Sequence, residues 1–117
     1  MTRRGVPVVA IADNPAAGDD TVQCVEKFAR SDPDRCAIPR REAFERYDGN
    51  RDATERLDRT ALVDMTDFYC TARACPAVIG SVAVHRDRTH VTKTYMVSLA
   101  PYLGREIERS LRSLDVR

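Results

Sequence analysis

Asp87 and His90 stand three residues apart in Val84-His85-Arg86-Asp87-Arg88-Thr89-His90-Val91-Thr92, where an apolar run ends and a helical pattern begins. A carboxylate beside imidazole Nδ1–H fixes the tautomer and stabilises the imidazolium, so that the other ring nitrogen faces outward as a general base. A separation of three residues across a turn lets both side chains point to one side. The bland alternative for the same spacing is an aspartate that caps a helix start on the surface. An acid–base pair prepares a nucleophile, and no serine is well placed to be one: Ser81, Ser98, Ser110 and Ser113 fall in a bend or the terminal helix, without a strained turn to expose them. His85 falls out of register with the apolar run and reads as an exposed strand residue rather than a second base.

The elements that must position this pair follow from patterning. Gly5 to Ala12 is a near-continuous β-branched run, as expected for a buried strand of a parallel sheet covered on both faces. Asp13-Asn14-Pro15 ends it. Thr21 is placed to cap a short helix in which Val22, Val25, Phe28 and Ala29 share a face. Pro39 suits the first position of a second helix, whose apolar side is Ala43, Phe44 and Tyr47. Asp48-Gly49-Asn50 interrupts it, and Arg51 to Arg59 resumes with Ala53 and Leu57 inward. Ala61-Leu62-Val63 is a second buried strand ending at Asp64, which either belongs to a ligand site or caps the next turn. Ala77-Val78-Ile79 and Val82-Ala83-Val84, split by Gly80-Ser81, predict a bend or narrow hairpin. From Val91, the residues Tyr95, Leu99, Tyr102, Leu103, Ile107, Leu111 and Leu114 recur at helical steps, with Pro101 kinking the helix or starting its second half.

With 117 residues the chain is long enough for one domain. Basic and acidic residues are interspersed and the formal net charge is +1, which excludes a nucleic-acid stripe or polybasic membrane patch. No run approaches the ~20 apolar residues of a membrane span. Met1-Thr2-Arg3-Arg4 precedes too short an apolar run for a signal peptide, so nothing in these residues supplies export. The cysteines point the other way. Cys24 and Cys36 bracket one loop, and Cys70 and Cys75 bracket another. Four cysteines allow three connectivities; the two local ones are favoured, as staples of an oxidising compartment, with buried free thiols as the alternative. The spacings do not match a zinc knuckle. No metal and no cofactor is expected.

The order of cysteine loop, apolar run, Asp-x-x-His, Val-Thr and terminal amphipathic helix resembles a known family. Cys70 to Gly80, then Val84 to Tyr95, is similar to the carboxyl end of the SGNH domain, in the version fused to the acyltransferase family 3 membrane-bound O-acyltransferases that modify bacterial envelope polysaccharides. Ala12-Asp13-Asn14-Pro15, the Cys24 and Cys36 pair, and Leu62-Val63-Asp64-Met65-Thr66 extend the resemblance over most of the chain. It implies an α/β fold, the C-terminal part of a flavodoxin-like three-layer α/β/α SGNH-hydrolase fold with an incomplete sheet. It implies one partial domain over residues 1–117: strand-helix-helix-strand, a cysteine loop at 70–75, the Asp-x-x-His turn at 87–90 and a helix over 91–114. It further implies acyl transfer or ester hydrolysis through Ser, Asp and His, on the extracytoplasmic face of the membrane. Asp87 would be the orienting acid, His90 the general base, and Cys24–Cys36 and Cys70–Cys75 disulfides. The implied partners are an acyl donor, a polysaccharide acceptor and an upstream polypeptide with the membrane domain.

The departures fall on the nucleophile. The family's Gly-Asp-Ser has no counterpart here: Asp20 stands where Gly18-Asp19 would require serine, in the wrong register. The oxyanion Gly and Asn are missing too, since Asn14 lacks the preceding glycines. The chain therefore reads as a truncated SGNH-type domain, with acid and base but no serine. A first strand without its central neighbour predicts marginal stability, self-association or dependence on a complementary polypeptide. The alternatives are a non-catalytic glycan-binding module, with Tyr69, Tyr95 and Tyr102 as platforms although the last two look like core, or a non-functional gene fragment.

Overall fold

β-branched side chains favour extended backbone, and two short apolar runs form strands that pair. In the computed structural model, which describes residues 6–114, β1 (Val8–Ile11) lies parallel to a later strand, Thr60–Val63, in the register Val8↔Thr60 to Ile11↔Val63. Gly5, the expected start of this strand, and the basic Met1–Arg4 stretch lie outside the described residues. In chain order the remaining elements are α1 (Thr21–Phe28), β2 (Ile38–Pro39), α2 (Arg40–Ala43), α3 (Gly49–Arg56), β3 (the Thr60–Val63 strand), β4 (Ala74–Cys75), β5 (Val78–Ile79), β6 (Val82–Ala83) and α4 (Lys93–Ser113). The result is a mixed α/β structure with three two-stranded sheets among the described residues. It divides into two compact units, one of residues 6–13, 47–65 and 100–114, the other of 14–46 and 66–99.

The first unit holds β1, α3, β3 and the later turns of α4. Asp48 opens α3: its Oδ1 accepts from the Asn50 and Arg51 amides at 3.1 and 3.2 Å, and its Oδ2 from the Asp13 amide at 3.0 Å. What reads in the sequence as an interruption is thus an N-cap. Four expectations fail here. β1 is only half-buried and Ile11 is exposed, because among the described residues its sheet has two strands and cannot be covered as a central strand is. Leu57 is 51% exposed, because α3 ends at Arg56 and Leu57 is extended, which breaks the helical spacing from Ala53. Tyr47 is 75% exposed, because α2 ends at Ala43 and no helix carries the ring inward; its hydroxyl donates to Asp52 instead. Tyr102 on α4, expected in the core, is exposed with the Arg105 guanidinium 4.8 Å over its ring. Leu103, Ile107 and Leu111 are half-buried, on the predicted stripe. Pro101 lies inside the helix, which runs through it.

The second unit is stapled twice. Cys24–Cys36 joins α1 to a 3-10 turn at Pro33–Cys36, with a sequence separation of 12, and Cys70–Cys75 closes the shorter loop. In the chain-entropy model a loop of the first size contributes about 3 kcal/mol. β2 pairs antiparallel with β4, Ile38 against Cys75, so the two cysteine loops share one ladder. That ladder takes Pro39 out of the expected helix: it closes β2, and Arg40 both starts α2 and donates to the Arg73 carbonyl. Thr21 is the first residue of α1 rather than its cap; its hydroxyl accepts from the Gly18 amide at 2.8 Å. β5 and β6 form the narrow hairpin, with positive φ at Gly80 and Ser81 as a type I′ turn requires. Cys75, Ala77, Val84, Pro15, Tyr69, Tyr95 and Leu99 form the core. The rings of Tyr69 and Tyr95 lie 5.5 Å apart, the Tyr95 hydroxyl donates to the Phe68 carbonyl, and burial pushes the Tyr69 phenol up to about 12.

Candidate active site

The Asp87–His90 turn is a short excursion whose two ends are tied together. His85 and Val91 form an antiparallel bridge, the Arg86 amide donates to the His90 carbonyl, and the Thr92 amide donates to the Val84 carbonyl. Thr92 then starts α4 by accepting the Tyr95 amide on its hydroxyl, the N-cap arrangement. The helix begins at Lys93 rather than Val91 because Val91 is spent on the bridge.

Within the excursion Asp87 is held from three directions. Its Oδ1 accepts from the Thr89 amide at 2.9 Å and the His90 amide at 2.8 Å. Both carboxylate oxygens lie 3.0 Å from His90 Nδ1. The Thr89 amide, then the His90 ring and amide, hold the Asp87 carboxyl well below the usual carboxylate range. An ionised partner on Nδ1 favours the tautomer that carries its proton there. Nε2 has no hydrogen-bond partner among the described residues, and the ring is 63% exposed. An imidazole oriented from behind and open in front is the arrangement that general-base chemistry needs. Thr89 Oγ1, 3.3 Å away, approaches Nδ1 and not Nε2, so it is not placed as a nucleophile.

The loop that follows β1 lies against this turn, a contact the sequence reading did not anticipate. The Ala17 amide donates to the Arg88 carbonyl at 2.8 Å, Asn14 Nδ2 donates to the Thr89 carbonyl at 3.4 Å, and Arg88 pairs with Asp19 at 3.1 Å. His85 was expected on the surface and is instead 7% exposed, with Nε2 2.7 Å from the Pro15 carbonyl. The bridge to Val91 and the docking of Pro15 turn its ring inward. No signal within the Val84–Thr92 stretch reveals this, since the partner is 70 residues away. An open depression beside the loop is lined by Ala17, Gly18, Asp19, Asp20, Ile38, Glu42, Glu45 and Arg88. Its charged residues are acidic except for Arg88.

Asp64, the other carboxylate singled out at a strand end, lies in the first unit and takes a 2.7 Å ion pair from Arg51. Tyr69 and Tyr95 are buried and offer no open ring face to a sugar. Ser98 and Ser113 hydroxyls donate to helix carbonyls three residues back, and Ser81 sits at the hairpin tip. All four cysteines are in disulfides, in the two local pairings. Among the described residues no group of three His, Cys, Asp or Glu side chains could hold a metal ion, and no helix is long and apolar enough to cross a membrane.

A family model described as "SGNH domain (fused to AT3 domains)" matches residues 1–105. The chain belongs to the SGNH domain family. The match spans both cysteine pairs, the parallel strands and the Asp-x-x-His turn, and it makes this an acyltransferase- or esterase-like domain. Neither the curated proteins nor the solved structures provide a match.

Proposed function

We propose that this SGNH chain carries the acid–base half of an acyl-transfer site, with Asp87 orienting His90 and His90 Nε2 as the general base. The observation that carries the reading is the one-sided imidazole: Nδ1 on a carboxylate at 3.0 Å, Nε2 open. In the reaction a serine hydroxyl attacks the acyl carbonyl of a donor while Nε2 takes its proton. The imidazolium, stabilised by Asp87, then protonates the leaving oxygen. A hydroxyl of a polysaccharide, or water, completes the transfer by the reverse sequence.

The serine and the oxyanion donors come from outside these residues, in a Gly-Asp-Ser segment of the same protein or of a partner. The fusion to AT3 domains in the family's description supports a partner domain; in this reading that domain is membrane-bound, the cargo is acetyl or another acyl group, and the acceptor is envelope polysaccharide on the extracytoplasmic side. Two disulfides in a domain of this size fit an oxidising compartment. The parallel β1–β3 pair fits the edge of a larger flavodoxin-like sheet, of which residues 1–117 are one partial domain.

Mixing this chain with a polypeptide that carries the Gly-Asp-Ser segment tests the reading. Cleavage of an activated acetyl ester is expected from the mixture, not from either component, and His90→Ala should lower it by about 10²–10⁴-fold. Equal turnover with His90→Ala would overturn the assignment.

A further inference from the structure

The turn that holds Asp87 contains two consecutive peptide units, and each is gripped on both sides. The Arg88–Thr89 unit offers its carbonyl to the Ala17 amide and its N–H to Asp87. The Thr89–His90 unit offers its carbonyl to Asn14 Nδ2 and its N–H to Asp87. A trans peptide is planar, so fixing the oxygen on one side fixes the direction of the N–H on the other. Asp87 is therefore aimed by whatever aims the 14–17 loop.

That loop is anchored at the Pro15 carbonyl, which has two acceptor sites and uses both. Asn14 Nδ2 donates at 3.2 Å and His85 Nε2 donates at 2.7 Å. The His85 ring is buried, and its Nδ1 has no hydrogen-bond partner among the described residues. A proton on Nδ1 would be buried without an acceptor while Nε2 faced a carbonyl with none to give, so the ring belongs in the neutral Nε2–H tautomer.

We infer that His85 and Asn14 are positioning residues for the acid–base pair: His85 locks the Pro15 carbonyl, and the locked loop holds the two peptide units that present Asp87 to His90. The inference rests on the acyl-transfer reading for its purpose, but not for its test. A buried histidine kept only for packing would be replaceable by a ring of similar size. Here the Nε2–H is what matters, and a glutamine, with a donor at the matching position, should replace it.

The test uses the full chain and nuclear magnetic resonance. In the unmodified protein, nitrogen shifts of the His85 ring should show the Nε2–H tautomer; a proton on Nδ1 would overturn the inference. In His85→Phe, exchange of the Ala17, Thr89 and His90 amides should accelerate at least ~10-fold beyond any change in the slowest core amides. The His90 Nδ1–H resonance should broaden or shift, and His85→Gln should restore both signals. Unchanged exchange at Thr89 and His90 in a folded His85→Phe protein would sink the proposal. Should that variant not fold, Asn14→Ala reads the same His90 amide and ring signals without touching the core, with the same two outcomes. Ester turnover of the reconstituted site is measured separately. A clamp intact in a protein without turnover overturns the acyl-transfer reading alone, and turnover with an unresponsive turn overturns the clamp alone.

Discussion

Asp48 and Asp87 make the same local structure and put it to different uses. Each accepts the amides two and three residues ahead, at 3.1 and 3.2 Å for Asp48 and at 2.9 and 2.8 Å for Asp87. After Asp48 comes Gly-Asn-Arg and a helix; after Asp87 comes Arg-Thr-His and a return to a β-bridge. The residue at the third position decides the chemistry. Arg51 is always charged, and its guanidinium is spent on Asp64. His90 is an imidazole with two ring nitrogens: Nδ1 faces the carboxylate, and Nε2 has no hydrogen-bond partner among the described residues. A capping aspartate is thus no evidence of function by itself. It becomes an acid–base element only when the third residue is titratable and one of its faces is left unused.

The comparison can be broken most sharply at His90. Replacing it with alanine in the reconstituted site should lower ester turnover by about 10²–10⁴-fold, the usual contribution of a general base, with little change in thermal midpoint. Asp87→Asn keeps an oxygen for the two amides and removes the charge from Nδ1. Turnover should fall by about 10²-fold or more, while the turn's amide exchange changes little. Loss of the turn's amide protection in this variant would mean that charge, and not geometry, holds it. The same pair sets a pH dependence. The folded Asp87 carboxyl titrates below its unfolded value of about 3.9, so its stabilisation is fully present above that pH and lost as pH falls through the depressed folded value. The stability gap between the original protein and Asp87→Asn, followed by denaturant titration, should close in acid and stay constant from pH 5 to 7.

On the other side, Asp48→Ala should cost about 1–2 kcal/mol in denaturant unfolding, since it removes a cap and the acceptor of the Asp13 amide, and it should leave His90 resonances in place. A shift at His90 would show that the two caps are not independent. Arg51→Ala should cost less, about 0–1 kcal/mol, because both partners of the Asp64 pair are well exposed.

Contacts within a few residues were legible in the sequence. The Asp87–His90 pairing, the two local disulfides, the Gly80-Ser81 turn and the α4 stripe all follow from side-chain reach, loop closure or periodicity over short spans. β1 and β3 were visible as short apolar runs, but the neighbour expected for β1 was a central strand, and its parallel pairing with β3 appears only in the fold. Two helix faces were misread because α2 and α3 stop early: Pro39 joins a strand and Leu57 leaves its helix, outcomes set by the β2–β4 ladder and by the chain's path into β3.

What decided the surroundings of the site was tertiary. His85 reads as a surface residue until Pro15 is laid against it, and Asn14 reads as the end of a strand until Thr89 comes within reach. Those bonds join residues 70 and 75 positions apart. A backbone carbonyl is the same group at every position and carries no sequence signature. Local chemistry could therefore fix that Asp87 and His90 meet, while the groups that hold their turn in place include main-chain oxygens, and only the folded chain determines which of them meet.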